Sequence, residues 1–511
     1  MMMKNRVMSL KKVSVALRHR SMATAVETAV FDNPIVNGTH IPSELPAREL
    51  APLSNKTGPV STSHWDEQWG EDKITSAIQD NVMATWGPSS TMKHVPQIVK
   101  GEGIYLYDNE GKEYMDWTSQ AVCSNLGHTV PETVATAVDD QMRTLPFLYG
   151  GLGMSEIRAR LSSLLSELTP GDLNGFLFPS GGSDANEAAI RIARGYTGKH
   201  KVLSHYRSYH GGTTSSLAAT GDFRRWFGEA GATGFIKCFG PSPFHFSMGE
   251  SDDEVAERSL NMLEEQILME GPNTIAAMLM ESIVGAGGCL ILPEKYVQGV
   301  RSICDKYGIV LIMDEVMMGF GRTGTFWGFQ HYAGVVPDVV TSAKGLTGSY
   351  LPLAMVAVRQ PIKDFFEEQS IGWGSTYQAH PVALRCAYEC IKYTLDNDIV
   401  GNSKRMEAVM IEETQKLVDN HPSVLQGRAK GLFGCVDTVD PSGRLTQNLQ
   451  GPMPPANAAF KRAYHEEGLY GLLRLPLIHT APPLIITEPE LREGFQRLST
   501  AIDRTLDREF R

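Results

Sequence analysis

The chain has 511 residues, of which 42% are hydrophobic and 21% charged, so it can bury a large core and should divide into two or more domains. Its formal net charge of −11 disfavours a nucleic-acid-binding protein, and no apolar stretch approaches the roughly 20 residues that cross a membrane. The seven cysteines lack metal-site spacing and indicate reduced thiols.

The first 26 residues differ in composition from the rest of the chain. Several Lys, Arg and Ser residues precede the first acidic residue, Glu27. This pattern is typical of a mitochondrial transit peptide, and the alternative is a disordered basic tail of a cytoplasmic enzyme. Residues 27–65 contain many Pro, Ser, Thr and Asn residues, and we interpret them as a linker or a surface arm.

From about residue 66 onward, helical and strand-like patterns alternate, which is typical of an α/β protein. The predicted helices cover residues 131–143, 156–168, 382–395 and 403–419. The predicted strands cover residues 175–178, 201–204, 275–280, 309–313, 339–342 and 431–436, with a hairpin at 104–117 and a further strand near Ile485. The predicted domains are residues 66–110, which contribute to a small domain, 111–380, a large domain, and 381–511, a small C-terminal α+β domain.

A loop of small residues joins a predicted strand to a predicted helix at residues 178–194. Its glycines, including Gly182, let the backbone approach a ligand closely, and the first N–H groups of the helix can bind a phosphate. Ser183 would add a hydroxyl donor. The alternative is an ordinary capped helix with Ser183 as the N-cap residue.

Two predicted apolar strands each lead to a residue with a reactive side chain, a carboxylate in one case and an amine in the other. Asp314 ends the run that starts at Ile309, and Lys344 follows the run that starts at Val339. In a parallel sheet, both would reach the carboxyl edge, where open α/β sheets bind ligands. An acid and an amine that meet there suit pyridoxal 5'-phosphate (PLP), with Lys344 as the Schiff-base nucleophile and Asp314 facing the pyridinium nitrogen. The alternative is a surface lysine and an aspartate in unrelated loops.

Eight ordered blocks of sequence give the chain a wider resemblance. They lie at residues 124–128, 179–194, 208–212, 281–288, 314–324, 337–345, 374–381 and 481–487. From about residue 75 to the end, the chain resembles the class III, fold type I PLP-dependent aminotransferases, most closely the taurine:pyruvate and omega-amino-acid aminotransferases. The resemblance implies a large PLP-binding domain with a mostly parallel mixed sheet between helices, a smaller α+β C-terminal domain, and a homodimer with a shared active site.

The resemblance also implies roles for residues around the cofactor ring. Lys344 would form the Schiff base and act as general base and acid, which requires a pocket that lowers its pKa. Asp314 would keep the pyridine nitrogen protonated. Tyr209 would stack on one face of the ring and Val316 would pack on the other. Glu281 matches a glutamate near the ring.

Further residues match the family's phosphate and substrate positions. Gly182 and Ser183 match its phosphate-binding loop, and Thr376 matches a threonine that reaches the phosphate of the neighbouring subunit's cofactor. Arg474 matches the arginine that binds the substrate carboxylate, with a surface arginine as the alternative. Val122 stands where relatives often place a substrate-contacting tryptophan.

The implied function is a transaminase that moves an amino group from an amino acid or an omega-amino donor to a 2-oxo acid such as pyruvate. PLP would be the cofactor, and we expect no metal, nucleic-acid or membrane partner. Two alternatives stay open at this point: an aminomutase or decarboxylating transaminase on the same fold, and a non-catalytic scaffold protein.

Overall fold

The structure, a computed structural model, describes residues 68–86, 89, 95–227, 233–242, 250–443 and 454–510. The predicted transit peptide (1–26) and arm (27–65) lie outside these residues. The residues described before Pro96 form a unit of their own, which contains helix α1 (Glu71–Asn81). Glu71 and Asp72 lie in its first turn, where negative charge stabilises a helix because the N-terminus is partly positive.

The second unit, Pro96–Arg511, alternates strands and helices. Its strands are β1 (Ile98–Glu102), β2 (Tyr105–Asp108), β3 (Glu113–Asp116), β4 (Leu173–Leu177), β5 (Lys201–His205), β6 (Phe235–Cys238), β7 (Ile275–Glu281), β8 (Ile283–Val284), β9 (Leu290–Ile291), β10 (Val310–Asp314), β11 (Val339–Ser342), β12 (Met355–Arg359), β13 (Val424–Lys430), β14 (Phe433–Thr438), β15 (Leu469–Tyr470), β16 (Leu473–Arg474) and β17 (Leu477–Thr480). Its helices are α2 (Ser119–Val122), α3 (Glu132–Thr144), α4 (Glu156–Leu168), α5 (Gly182–Thr197), α6 (Thr214–Ala219), α7 (Asp252–Glu270), α8 (Glu294–Tyr307), α9 (Gln360–Phe365), α10 (Pro381–Asp396), α11 (Ile399–Asn420), α12 (Pro455–Glu466) and α13 (Glu488–Asp503).

A central sheet holds seven of the described strands in the order β4-β12-β11-β10-β7-β5-β6. β12 runs antiparallel to both of its neighbours, and the other neighbouring pairs are parallel, so the sheet is mixed and mostly parallel, as predicted. In β10, Leu311 and Met313 enter one core cluster, whereas Val310 and Ile312 enter another, because alternate side chains point to opposite faces. Burial on both faces explains why these strands read as continuous apolar runs.

Helix α5 packs on one face of this sheet through small side chains. Ala185, Ala188, Ala189 and Ala193 are fully buried in the same cluster as Val310. Short side chains let the helix backbone come close to the strands. Because α5 follows directly on β4, its N-terminus lies at the carboxyl edge of the sheet.

Strands from both ends of the second unit meet in a smaller sheet. β3 pairs in parallel with β15, which aligns Met115 with Leu469. The core cluster of this region includes Trp117, whose ring packs edge-on against Phe495 of α13. β13, β14, β17 and β16 form a further antiparallel sheet. The domain boundaries near residues 110 and 380 stay predictions.

Most predicted elements are confirmed to within a few residues at each end, and helix 156–168 and strand 339–342 are confirmed at both ends. The strand predicted near Ile485 is wrong. Ile485 lies in a turn in which the N–H of Ile486 donates to the carbonyl of Pro483. Leu484 and Ile486 are fully buried, so this turn has the apolar composition of a strand. Across the described residues, none of the helices combines the length and apolar character needed to span a bilayer.

Candidate active site

Neighbouring strands of the central sheet end in polar residues that share one row. Asp314 aligns with Glu281 of β7 and with Thr341 of β11. Lys344 follows shortly after Thr341 and begins a 3-10 helix, Lys344–Thr347. The register therefore brings Glu281 and Asp314 together at the carboxyl edge of the sheet, with Lys344 just beyond it.

Asp314 is 3% exposed and accepts hydrogen bonds from separate parts of the chain. Its Oδ2 lies 2.8 Å from both Nδ2 of Asn186 and Nδ1 of His210, and its Oδ1 accepts from the N–H of Val316 at 3.0 Å. Because a carboxylate only accepts, Nδ1 of His210 carries the proton. Thr341 donates to Oδ1 of Asn186 at 2.7 Å, which fixes the orientation of the amide. This network holds the carboxylate in one orientation.

Sequence reasoning missed Asn186, His210 and Thr341 as partners of Asp314. All three lie within the sequence blocks that carry the family resemblance. Asn186 comes one helical turn after Gly182 and His210 directly after Tyr209, so their position next to assigned residues was the available signal. Which side chains meet Asp314 depends on how α5 packs on the sheet.

Lys344 lies in an environment that favours its neutral form. Burial lowers the pKa of Lys344, and the positive charge of Arg474 lowers it further, against the attraction of Asp314 and Glu281. This agrees with the predicted direction. The backbone of Lys344 has φ 39°, a left-handed conformation that is uncommon outside glycine and clusters at active sites.

Glu281 holds the backbone next to Tyr209. Its Oε1 accepts from the N–H of Tyr209 at 3.1 Å, and its Oε2 accepts from the N–H of Gly285 at 2.8 Å. Burial raises the pKa of Glu281 to about 7, and the negative charge of Asp314 adds to the shift. Glu281 therefore titrates near neutral pH.

The small-residue loop leads into α5 as predicted, but the capping interpretation is wrong. Helix α5 begins at Gly182 and its N-cap residue is Gly181, with no side-chain cap. Ser183 instead accepts a hydrogen bond at Oγ from the N–H of Gly212 at 3.1 Å. A Cβ at Gly182 would lie 3.0 Å from Cγ1 of Val316, so this loop contacts the residue that follows the Asp314 strand. The arrangement leaves a helix N-terminus facing the site, which suits an anion.

Tyr209 lies beside a charged cluster. The guanidinium carbon of Arg224 is 3.4 Å from the centre of the Tyr209 ring. Arg224 forms an ion pair with Asp222, and Nη1 of Arg474 lies 3.9 Å from Oδ2 of the same Asp222. Burial lowers the pKa of Arg474 to about 10, and its side chain is 25% exposed, so Arg474 is not a freely solvated surface arginine.

The remaining predicted residues lie in different surroundings. Val122 is buried in an apolar cluster with Ile283 and Phe433. Thr376 is exposed in a turn. Arg322, outside the predicted site, is fully buried and donates to backbone carbonyls of Leu432 and Pro482 among other groups, which ties separate segments together.

The chain matches the family described as Aminotransferase class-III over residues 87–502. A relative called an uncharacterized aminotransferase, YhxA of Bacillus subtilis, is 34% identical, and the match covers 78% of this chain and 91% of the relative. Gamma-aminobutyrate transaminase 1, mitochondrial, of Oryza sativa subsp. indica is 32% identical, with coverage of 83% and 84%.

Two solved structures are similar over most of the chain. The taurine:2-oxoglutarate aminotransferase from Bifidobacterium kashiwanohense, in complex with PLP and glutamate, has a TM-score of 0.80 and 36% identity, and covers 86% of this chain and 98% of that one. An (S)-enantioselective omega-transaminase from Thermomicrobium roseum has a TM-score of 0.81 and 33% identity, with coverage of 86% and 100%. The chain therefore belongs to the class III aminotransferases, enzymes that use PLP to transfer an amino group from a donor to a 2-oxo acid.

Proposed function

We propose that this aminotransferase prefers omega-amino acids or related donors with an anionic group and passes the amino group to a 2-oxo acid such as pyruvate. The observation that carries this proposal is the guanidinium of Arg474, which is 25% exposed and lies 3.9 Å from Oδ2 of Asp222, in the cluster whose Arg224 stacks on the Tyr209 ring. Arginine is the natural partner of carboxylates and sulfonates because its planar fork binds two oxygens at once. The names of relatives that act on taurine and gamma-aminobutyrate support this class of donor.

The residues of the site fit PLP. The carboxylate of Asp314, already oriented by Asn186 and His210, would face the pyridinium nitrogen. Tyr209 and Val316 would contact the two faces of the ring. When bound, PLP supplies an electron sink that stabilises negative charge on the carbon that bears the amine.

The start of α5 would hold the phosphate. Its N-terminal N–H groups at Gly182 and Ser183 offer donors and a partial positive charge. Ser183 Oγ already accepts from Gly212, so its own proton is available to a phosphate oxygen.

Lys344 would bind the cofactor covalently through Nζ and then carry the proton at the amine-bearing carbon. Its lowered pKa increases the fraction of neutral amine that can accept this proton. Glu281 would assist by holding the backbone N–H of Tyr209, so that the tyrosine ring stays in place. Val122 would shape the substrate pocket from its apolar cluster.

The proposed active unit is a homodimer in which Thr376 reaches the phosphate of the partner's cofactor. The exposed position of Thr376 supports this role, because its side chain is available to a second copy. Exposed aromatic residues lie beside the same turn: the ring of Phe147 is 6.1 Å from that of Tyr377, and both side chains are exposed. Exposed apolar residues of this kind are typical of a surface that a partner covers.

We also assign the protein to mitochondria, because its start is basic and lacks acidic residues up to Glu27. The mitochondrial gamma-aminobutyrate transaminase of rice supports this location. Residues 1–26 fused to a fluorescent protein should direct it to mitochondria. A diffuse cytoplasmic signal would contradict the assignment.

The donor class is tested by a half-reaction screen on the PLP-loaded enzyme. The visible absorbance of the cofactor is followed as α-amino acids, omega-amino acids, taurine and uncharged amines are added. We expect the fastest change with omega-amino acids or taurine, and transfer of nitrogen to pyruvate without release of CO2. A preference for uncharged amines would refute the proposed donor class.

A further inference from the structure

Two arginines share one aspartate beside Tyr209. Nε of Arg224 donates to both carboxylate oxygens of Asp222, at 3.1 and 2.9 Å, and Arg474 approaches the same carboxylate. The side chain of Arg224 is 6% exposed. We call Asp222, Arg224 and Arg474 the arginine cluster.

Backbone hydrogen bonds hold the arginine cluster next to Tyr209. The N–H groups of Gly221 and Asp222 both donate to the carbonyl of Ser208, the residue before Tyr209. A Cβ at Gly221 would lie 1.9 Å from the carbonyl oxygen of His205, so only glycine allows this close approach. The following 3-10 helix, Phe223–Phe227, then carries Arg224 onto the Tyr209 ring.

The arginine cluster has more positive than negative charge. Two guanidinium groups face one carboxylate, which accepts hydrogen bonds from the backbone N–H and from Nε of Arg224. Burial is the main cause that lowers the pKa of Arg474, and repulsion from Arg224 is the next. A further anion at this position would relieve that repulsion, because opposite charges attract strongly where water is partly excluded.

We propose that Arg224 and Arg474 together bind the carboxylate or sulfonate group of the donor, and that Asp222 is the counter-ion they share when no substrate is bound. This inference rests on the proposed function and adds Arg224 and Asp222 as specificity-determining residues. The donor is then bound at both ends, with its amine near Lys344 and its anionic group at the arginine cluster. Two guanidinium groups can divide the oxygens of a sulfonate or a carboxylate between them.

A competing role for Arg224 is to position the Tyr209 ring by stacking on it. A positioning role would affect all donors equally, because every donor meets the same cofactor. A binding role would affect only donors that carry an anionic group. The ratio of activities toward the two kinds of donor therefore distinguishes the two roles.

The test compares the best anionic donor of the half-reaction screen with 1-phenylethylamine, which carries no anionic group, on the PLP-loaded enzyme. Arg224→Met should lower the ratio of the two kcat/KM values about 10- to 100-fold, the effect of losing a charge-assisted hydrogen-bonding partner. Calorimetry with ethanesulfonate, which has no amine to react, should show a parallel loss of binding. Arg224→Lys should recover part of both, because it keeps the charge and loses the planar fork.

Arg225→Met is the matched control. It removes the same charge from the same 3-10 helix, but the guanidinium of Arg225 donates to the backbone carbonyls of Gly221 and Asp222 and lies over Tyr206. Its donor ratio should stay within about twofold of wild type, on the order of the small effects of changes outside a binding site.

Three outcomes would overturn the inference: an unchanged ratio in Arg224→Met, an equal loss for both donors, or the same change of ratio in Arg225→Met. If Arg224→Met does not retain PLP, Asp222→Asn decides. Removal of the shared counter-ion should tighten ethanesulfonate binding, and weaker or unchanged binding overturns the inference. A wild-type enzyme that reacts with no amine donor would instead refute the proposed function.

Discussion

Lys344 combines features that favour its chemistry before any cofactor binds. Its backbone is held at φ 39°, and burial lowers its pKa with help from Arg474. Asp314, on the neighbouring strand, is oriented by donors from α5, from the segment after β5 and from its own strand end. At the scale of single residues, the proposed site is preorganised, so we expect little rearrangement when a cofactor binds there.

Lys344→Ala should abolish turnover while PLP still binds through the remaining contacts. Removal of a positioned proton carrier typically costs about 10²–10⁴ in rate, and loss of the covalent link adds to this. Absorbance titration with PLP and single-turnover kinetics measure the two effects separately. Turnover at the wild-type rate in this variant would contradict the role of Lys344.

His205 should make the folded state sensitive to acid. Its Nε2 bonds the hydroxyl of Tyr296 at 2.8 Å, and burial lowers the pKa of His205 to about 4, against about 6.5 in an unfolded chain. The unfolded state therefore binds a proton first as the pH falls. The contribution of neutral His205 is fully present above about pH 6.5 and is lost as the pH falls toward 4.

In His205→Asn, the melting temperature should fall less than in wild type between about pH 7 and pH 4.5. The difference corresponds to stabilisation on the order of 2 kcal/mol that only wild type loses. Differential scanning calorimetry at the two pH values measures it. His479, whose pKa burial also lowers to about 4, is present in both proteins and does not affect the comparison. An equal or larger fall in the variant would refute this linkage.

At the scale of elements, the close packing of one segment determines the site. Residues 205–224 leave strand β5, pass Tyr209 and return to it through the backbone contacts of Gly221 and Asp222 with Ser208. Stacking of Arg224 on the Tyr209 ring depends on this return. Gly221 is therefore the position at which a single methyl group would disturb both the fold and the arginine cluster.

Gly221→Ala should destabilise the protein by about 1–3 kcal/mol or more, because an added Cβ would lie 1.9 Å from the carbonyl oxygen of His205 and 2.6 Å from Cα of Tyr206. Thermal denaturation should show a lower melting temperature. Gly150→Ala is the control, since its nearest contact would be an ordinary 3.5 Å. Equal melting temperatures of the two variants would refute the packing argument.

The elements also show what sequence reasoning could and could not predict. β10 and β11 were predictable because strands buried on both faces are continuous apolar runs between polar ends. β12 was missed, although its residues Met355–Arg359 are almost as apolar, because only its pairing reveals it as an antiparallel strand between β4 and β11. The turn at Ile485 was mistaken for a strand because its buried residues are as apolar as those of a strand.

The candidate site was predictable to a similar extent. Asp314 and Lys344 follow from strand ends, and Gly182 follows from the loop before a helix. The hydrogen bonds of Asn186 and Thr341, and the stacking of Arg224, depend on tertiary packing that has no periodic signal in sequence. Residues that support a site from a neighbouring element are therefore the ones that sequence patterns miss.

At the scale of the whole molecule, the described chain carries an exposed apolar region beside Thr376. Tyr377, the residue after Thr376, is 65% exposed, and its ring is 6.1 Å from that of Phe147, which is 40% exposed. Coverage of these side chains by a second copy would remove apolar surface from water. The same contact in the proposed dimer would bury these side chains and bring Thr376 to the partner's active site.

Subunit mixing should show whether the active site is shared. Lys344→Ala and Thr376→Ala homodimers should each have low activity. In a mixed dimer, one of the two sites combines an intact Lys344 from one subunit with an intact Thr376 from the other. Equal mixing makes about half of the dimers mixed, so it should restore up to about a quarter of wild-type activity. Light scattering confirms that the mixture is dimeric. No gain of activity on mixing would contradict a shared site.

The return of residues 205–224 onto themselves also has an evolutionary consequence. In the proposed site, Tyr209 would stack on the cofactor, and His210 bonds Asp314, at one end of this stretch. Asp222 and Arg224 lie at the other end, where Arg224 stacks on the Tyr209 ring. A single codon change at Arg224 can therefore alter which donors are accepted and leave the Asp314 network intact. Substitutions at Arg224 could therefore change the range of donors while the residues proposed to act on the cofactor stay the same.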